Sequence, residues 1–273
     1  MKKAIIVFLA CLASLSILAG CGSGDAIHVI TCDEGSGTRG VFAELLGMER
    51  IIEVAEDAED TSAMLHAVAN NSSAIGYISM GSLNDTVKAL AIDGAAPNAE
   101  SLRDGSYPIT RPFQIVTKQY LSKQAKAFYD FILSVEGQAV VEAFGCVPRE
   151  HAAPYEVNDA AGKVVVAGSS SVSPLMDKLI DAFAEVNKNI NVELQQSDST
   201  TGVSNTLEGL CDIGMISRDL KAEEEAKKIV AKTIGIDGIA IIASPKNKVN
   251  SLTKEQVRDI YIGEITEWAQ IKP

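Results

Sequence analysis

DEGSGTRG, Asp33 to Gly40, follows the short apolar run Ile27, Val29 and Ile30 and precedes the helix-like run Val41 to Leu46. The order is therefore strand, turn, helix. Gly35 and Gly37 let a ligand come close to the backbone. Ser36 and Thr38 add hydroxyl donors, and the unpaired first N–H groups of the helix lie at the positive end of its dipole. Such a turn suits a small anion, of which phosphate is the usual guest. Alone, the motif reads first as a hydroxyl-capped helix after a glycine turn. Repetition changes the weighing. VVVAGSSSVSP, Val164 to Pro174, runs from strand through Ser169, Ser170 and Ser171 to a helix, and QQSDSTTGVSNTL, Gln195 to Leu207, does the same through Ser197, Ser199, Thr200, Thr201 and Gly202. These units together suggest helix N-termini converging on one anion, held by backbone and hydroxyl donors without a matched lysine.

Working outward, strand-like and helix-like runs alternate. Strands are expected at Ile27–Thr31, Ala74–Ser79, Phe113–Thr117, Lys163–Ala167, Asn191–Gln195, Asp212–Ile216 and Gly238–Ala243. Leu175, Leu179, Phe183 and Val186 share a helical face behind Pro174, and further helices are expected at Ser122–Leu133, Glu136–Phe144 and Ala222–Ala231. Alternation of this kind predicts an α/β fold with largely parallel sheets. Linker-like composition occurs at Asp93–Ser106 and Pro148–Gly162.

At the N-terminus, Lys2 and Lys3 precede an apolar run from Ala4 that ends in LAGC, Leu18 to Cys21. The run is short for a membrane span. It resembles a bacterial lipoprotein signal, which implies removal of residues 1–20, a lipidated Cys21 and a tether over 21–25. Diacylation supplies the two chains that stable anchoring needs. The chain carries 24 basic and 36 acidic side chains, net −12. Loss of the two signal lysines makes it −12 − 2 = −14. So acidic a chain argues against nucleic acid as a partner. Beyond Cys21, Cys32, Cys146 and Cys211 are scattered and read as ordinary thiols. With only His28, His66 and His151, no metal motif is present and no cofactor is expected.

DEGSGTRG, AVANNSSAIGYISMGSL (Ala67–Leu83), VKALAIDGAAP (Val87–Pro97), YPITRPF (Tyr107–Phe113) and FILSVEGQAVVE (Phe131–Glu142) resemble the second half of the phosphate-binding proteins of the phosphate ABC transporter, the PstS type. VVVAGSSSVSP, Asp198–Gly202, CDIGMISRDL (Cys211–Leu220), IGIDGIAIIASP (Ile234–Pro245) and LTKEQVRDIYIGEITEW (Leu252–Trp268) resemble the first half. The halves stand in exchanged order, as in a circular permutation whose old ends are joined near Pro148–Lys163.

The resemblance implies a type II periplasmic-binding-protein fold, two α/β lobes with a ligand cleft and a hinge. One lobe is expected at 26–110 plus 234–273, the other at 111–233, with the hinge near Thr110–Phe113 and Thr233–Ile236. It implies phosphate contacts from Ser36, Gly37, Thr38, Ser170, Ser171, Ser199 and Ser217, with support from Arg39, Arg218, Asp33 and Glu34. Arg218 has two equal readings, a ligand contact or an ion pair with Asp33 or Asp219. Many relatives carry arginine where this chain has Cys32, a departure that Arg39 could offset. A carboxylate that accepts the proton of hydrogen phosphate would exclude sulfate, and Asp33, Glu34 and Asp198 are the candidates. The implied partners are inorganic phosphate, a permease and ATPase complex, and the membrane through the lipid. Rival readings are a binder of another tetrahedral oxyanion, a tethered sensor or adhesin, and a phosphate-handling enzyme. The last lacks the Lys-Ser/Thr pair of a P-loop and a GxSxG elbow, and no enzymatic activity is expected.

Overall fold

The computed structural model describes residues 26–271; the expected signal, tether and Cys21 lie outside the described residues. In chain order the elements are β1 (His28–Cys32), α1 (Gly37–Leu45), β2 (Glu56–Ala58), α2 (Thr61–Asn70), β3 (Ala74–Ser79), β4 (Lys88–Ala89), β5 (Ala91–Ile92) and α3 (Ala99–Arg103). There follow β6 (Thr110–Lys118), α4 (Lys123–Leu133), α5 (Val135–Ala143), β7 (Val147–Pro148), β8 (Gly162–Ser169), α6 (Ser173–Val186) and β9 (Ile190–Ser197). The chain closes with α7 (Ser199–Glu208), β10 (Ile213–Ile216), α8 (Ala222–Glu225), β11 (Ile229–Ala243), β12 (Ser251–Leu252) and α9 (Lys254–Tyr261).

The main sheet runs β2-β1-β3-β11-β6-β10-β8-β9. At one end β1 lies parallel to β2 and β3; at the other β8 lies parallel to β9 and β10. Two long antiparallel strands join them. The N-terminal part of β11 pairs with β6 and its C-terminal part, Ile239–Ala243, with β3. The register of β11 on β6 shifts between Thr233 and Gly235, which places an irregularity where the hinge was expected.

The apolar cores divide in the same way. One gathers Phe42, Tyr77, Ile109, Ile241 and Tyr261, and the other Phe113, Phe128, Phe131, Leu179 and Phe183. The molecule is two-lobed, and β6 and β11 cross between the lobes.

The structure departs from the sequence expectation most at the start of β11. A helix was expected over Ala222–Ala231, but α8 stops at Glu225 and β11 begins at Ile229. AEEEAKK favours helix locally. The following β-branched run instead pairs along buried β6, and that tertiary pairing overrides local propensity. The strand expected at Gly238–Ala243 is therefore only the last part of β11, and α3 sits inside the linker-like stretch Asp93–Ser106.

Candidate functional site

α1 is aimed by its aromatic footing. Phe42 stacks on Tyr77 at 4.0 Å and meets Tyr261 edge-on at 4.8 Å. The Tyr77 hydroxyl receives the Cys32 N–H at 3.1 Å and shares a 2.7 Å hydrogen bond with Thr31, while Tyr261 donates to the Ile30 carbonyl. These contacts fix the end of β1 and the turn after it. Ser36 caps α1 only loosely, accepting from the Arg39 N–H at 3.4 Å, so the first N–H groups of the helix stay available. Gly37 and Thr38 are buried at the lobe boundary.

From the opposite lobe come the turn after β8, the start of α7 and the end of β10. α6 begins with Pro174 in its first turn and has no side-chain cap, so its N-terminus is also uncompensated. α7 differs. Asp198 caps it, accepting from the N–H groups of Thr200 and Thr201 and from the Thr201 hydroxyl. Only two of the three expected N-termini are thus open to an anion, and α7 contributes the Ser199 hydroxyl rather than its dipole.

The hydroxyls meet. Thr38 shares a 2.9 Å hydrogen bond with Ser171 and lies 3.4 Å from the Ser217 hydroxyl. Ser169 donates to Ser217 at 3.1 Å, and Ser199 accepts from the Ser217 N–H at 3.1 Å. Ser36, Gly37, Ser170 and Ser199 line one cleft pocket together with Cys32, Asp33, Asp60 and Asp198. Further bonds bridge the lobes at its edge: Thr200 to the Gly35 carbonyl at 3.1 Å, Thr61 to the Ser170 carbonyl at 3.4 Å, and Gln196 to Asp60 at 2.9 Å.

The charged candidates separate. Arg218 forks onto Glu224 at 2.7 and 2.9 Å and donates to the Asp219 carbonyl, so its charge is matched by a carboxylate that sequence reasoning did not consider. Arg39 binds Asp57 and the Cys32 carbonyl, and it lines a separate groove with Glu34. Glu34 is exposed there, away from the cleft pocket. Asp33 lines the cleft. Burial raises its carboxyl above the usual range, helped by repulsion from Asp57, Glu59 and Asp198. Burial likewise raises the Cys32 thiol, which keeps it neutral.

Arg111 and Asp237 were missed. They face each other across β6 and β11. Arg111 donates to Asp237 through Nε at 3.1 Å and Nη2 at 3.0 Å, and through Nη1 to the Thr38 hydroxyl. The sequence did hold a signal: a lone cation in RPFQIVT and a lone acid in IGIDGIAII each interrupt an apolar strand, and buried charges of opposite sign seek each other. Among the described residues no cluster of His, Cys, Asp or Glu could hold a metal ion.

The PBP superfamily domain matches residues 16–136 and again 153–273. A Streptococcus agalactiae protein named phosphate-binding protein PstS 2 is 45% identical over 95% of this chain and 94% of its own length. The crystal structure of a phosphate-binding protein of a phosphate ABC transporter from Streptococcus pneumoniae superimposes with a TM-score of 0.71 at 36% identity, covering 90% of this chain and all of that one. The Bacillus subtilis phosphate-binding protein PstS aligns differently, at 30% identity over 41% of this chain and 38% of its own length. The chain belongs to the PstS-type phosphate-binding proteins, within the periplasmic-binding-protein superfamily.

Proposed function

We propose that this protein captures inorganic phosphate between its lobes and delivers it to an ABC permease and ATPase complex, from a lipid anchor at Cys21 on the extracytoplasmic face. One observation carries the reading: Thr38 of one lobe meets Ser171 and Ser217 of the other within hydrogen-bond reach, beside the loosely capped N-terminus of α1 and the uncapped N-terminus of α6. Hydroxyls donate or accept as the ligand requires, and burial strengthens each such bond. Ser36, Gly37, Thr38, Ser170, Ser171, Ser199 and Ser217 form the phosphate shell of this proposal. Arg39, Arg218 and Glu34 act outside it. The lobes comprise 26–110 plus 234–273 and 111–233, hinged where β6 and β11 cross.

The exchanged order of the halves is part of the same reading. An alignment limited to 41% of this chain is what a permuted order yields against the Bacillus subtilis protein, since a linear alignment can follow only one half at a time. The near end-to-end match to the Streptococcus agalactiae protein supports an order common to both.

Titration calorimetry of the soluble form with phosphate, sulfate, arsenate and molybdate tests the assignment. Phosphate should bind tightly and sulfate weakly; tight sulfate binding without phosphate binding would remove it. Asp33 is the acceptor we assign to the proton of hydrogen phosphate, because both oxygens of Asp198 are already engaged by the α7 cap. Asp33→Asn should then narrow the phosphate-over-sulfate preference by about tenfold, the loss of one charge-assisted bond. An unchanged ratio assigns the acceptor elsewhere. Cys21→Ser should move the protein from the membrane fraction to the medium; retention at the membrane contradicts the anchor.

A further inference from the structure

The cleft presents an electrostatic problem. The chain is acidic, and Asp33, Glu59, Asp60 and Asp198 line the pocket itself. These carboxylates repel an entering phosphate dianion, and a cation beside it would offset that repulsion. The lining includes no lysine or arginine, and the side chains of Arg39 and Arg218 donate to Asp57, Glu224 and the carbonyls of Cys32 and Asp219, not to a hydroxyl of the cluster.

We propose that Arg111 is the cationic ligand of the oxyanion, presented by a strand that crosses between the lobes, and that Asp237 fixes its orientation and tempers its charge. The inference rests on the oxyanion reading above and adds to it the residue that balances the ligand's charge.

The geometry is specific. Arg111 is 2% exposed, and its guanidinium carbon stands 5.0 Å from the centre of the Phe113 ring, which limits its freedom. Nε and Nη2 both address one oxygen of Asp237, whose other oxygen accepts from the Ser79 hydroxyl at 2.9 Å. Carboxylate and guanidinium are therefore both held. Nη1 is directed instead at Thr38 Oγ1, the oxygen that Ser171 and Ser217 also approach. An oxyanion that takes hydrogen bonds from those hydroxyls lies within reach of Nη1. A guanidinium has five N–H donors, so the bonds to Asp237 and Thr38 leave others to offer.

A purely structural staple across β6 and β11 would explain the contact with Asp237. It does not require that the third nitrogen be turned to the hydroxyl cluster. Nor is a buried ion pair by itself an effective stabiliser, because desolvating both charges offsets their attraction. Placement on the crossing strand adds a consequence. The charge stays beside the hinge instead of departing with either lobe, so it faces an arriving anion before closure completes.

Arg111→Gln combined with Asp237→Asn removes both charges and leaves none unpaired in the core. The double variant should retain the far-ultraviolet circular dichroism of the parent and bind phosphate at least about tenfold more weakly. Arg111→Lys, which keeps the charge, should bind within about tenfold of wild type while losing the fork. A folded double variant whose affinity falls less than tenfold overturns the inference. A second measurement needs no folded variant: the Arg111 side-chain N–H resonances of isotope-labelled wild type should shift on phosphate titration, and resonances unmoved at saturation overturn it. Wild-type protein that binds none of the four oxyanions removes the functional reading and this inference with it. Wild-type binding that survives in the double variant removes this inference alone.

Discussion

Gly37→Val should weaken phosphate binding by at least about a hundredfold, the cost of two or more lost hydrogen bonds to a charged ligand, while leaving the fold intact. Gly37 stands at the first position of α1, and the opposite lobe lies directly against it. A Cβ built there falls inside van der Waals contact of Ser199 Oγ and 3.0 Å from both Ser199 Cβ and Arg218 Cγ. Ser199 cannot easily move aside, since it is fully buried and accepts the Ser217 N–H. Arg218 is pinned by Glu224. A branched side chain at 37 therefore wedges the lobes apart. The hydroxyls of Ser171, Ser199 and Ser217 would then lose their reach to any anion held by α1.

The variant should not unfold, because the clash is between lobes and not within one. The two main apolar cores share no residue. The backbone at 37 is ordinary helix, where valine costs no more than glycine. The paired readouts are a ligand-free melting temperature near that of wild type and loss of the upward shift that saturating phosphate gives, since that shift scales with the logarithm of ligand concentration over Kd. Gly37→Val with wild-type affinity would mean that the ligand is not enclosed between these two helix starts.

Much of this arrangement is legible in the sequence, and the exceptions have physical causes. The hydroxyl turns at Ser36–Thr38, Ser169–Ser171 and Ser199 are local patterns, each spanning a strand end and a helix start, so a linear reading finds them. Arg111 and Asp237 stand 126 residues apart, and only strand pairing brings them together. The same non-local pairing hid the first half of β11 behind a helix-forming sequence. The partner of Arg218 was missed for a different reason. Glu224 lies only six positions on, but the chain turns sharply after β10, and α8 returns its carboxylate to the guanidinium. Asp198, a candidate acceptor for the ligand proton, has a second task that the sequence did not announce, since its extended backbone and side chain cap α7.

The converse signature is expected at the glycine before the second hydroxyl turn. Gly168→Ala should cost about 3–5 kcal/mol of stability, summing strain in a backbone region closed to side chains with overpacking in a filled core. Gly168 has φ +133°, a conformation L side chains rarely adopt. A Cβ there would press into the Met215 carbonyl of β10 and approach to 3.1 Å of Gly202 Cα on α7. Neither neighbour is the tip of a flexible side chain. The space is filled by backbone because Gly168, Gly202 and Gly214 let α7 lie directly on β8 and β10, with Cα-level contact between helix and sheet. That close approach is also what brings Ser199 and Ser217 to the cleft beside Ser169 and Ser171. At roughly 2–4 °C of melting temperature per kcal/mol for a chain of this size, the loss should be visible in a simple thermal melt of the ligand-free protein. Affinity should fall as well, because the strand end that shifts carries the Ser169–Ser171 turn. Gly37→Val thus loses affinity with stability kept, and Gly168→Ala loses stability first. A Gly168→Ala protein that melts with wild type would show that β8, β10 and α7 are less tightly apposed than described, and the shared placement of their hydroxyls would need another explanation.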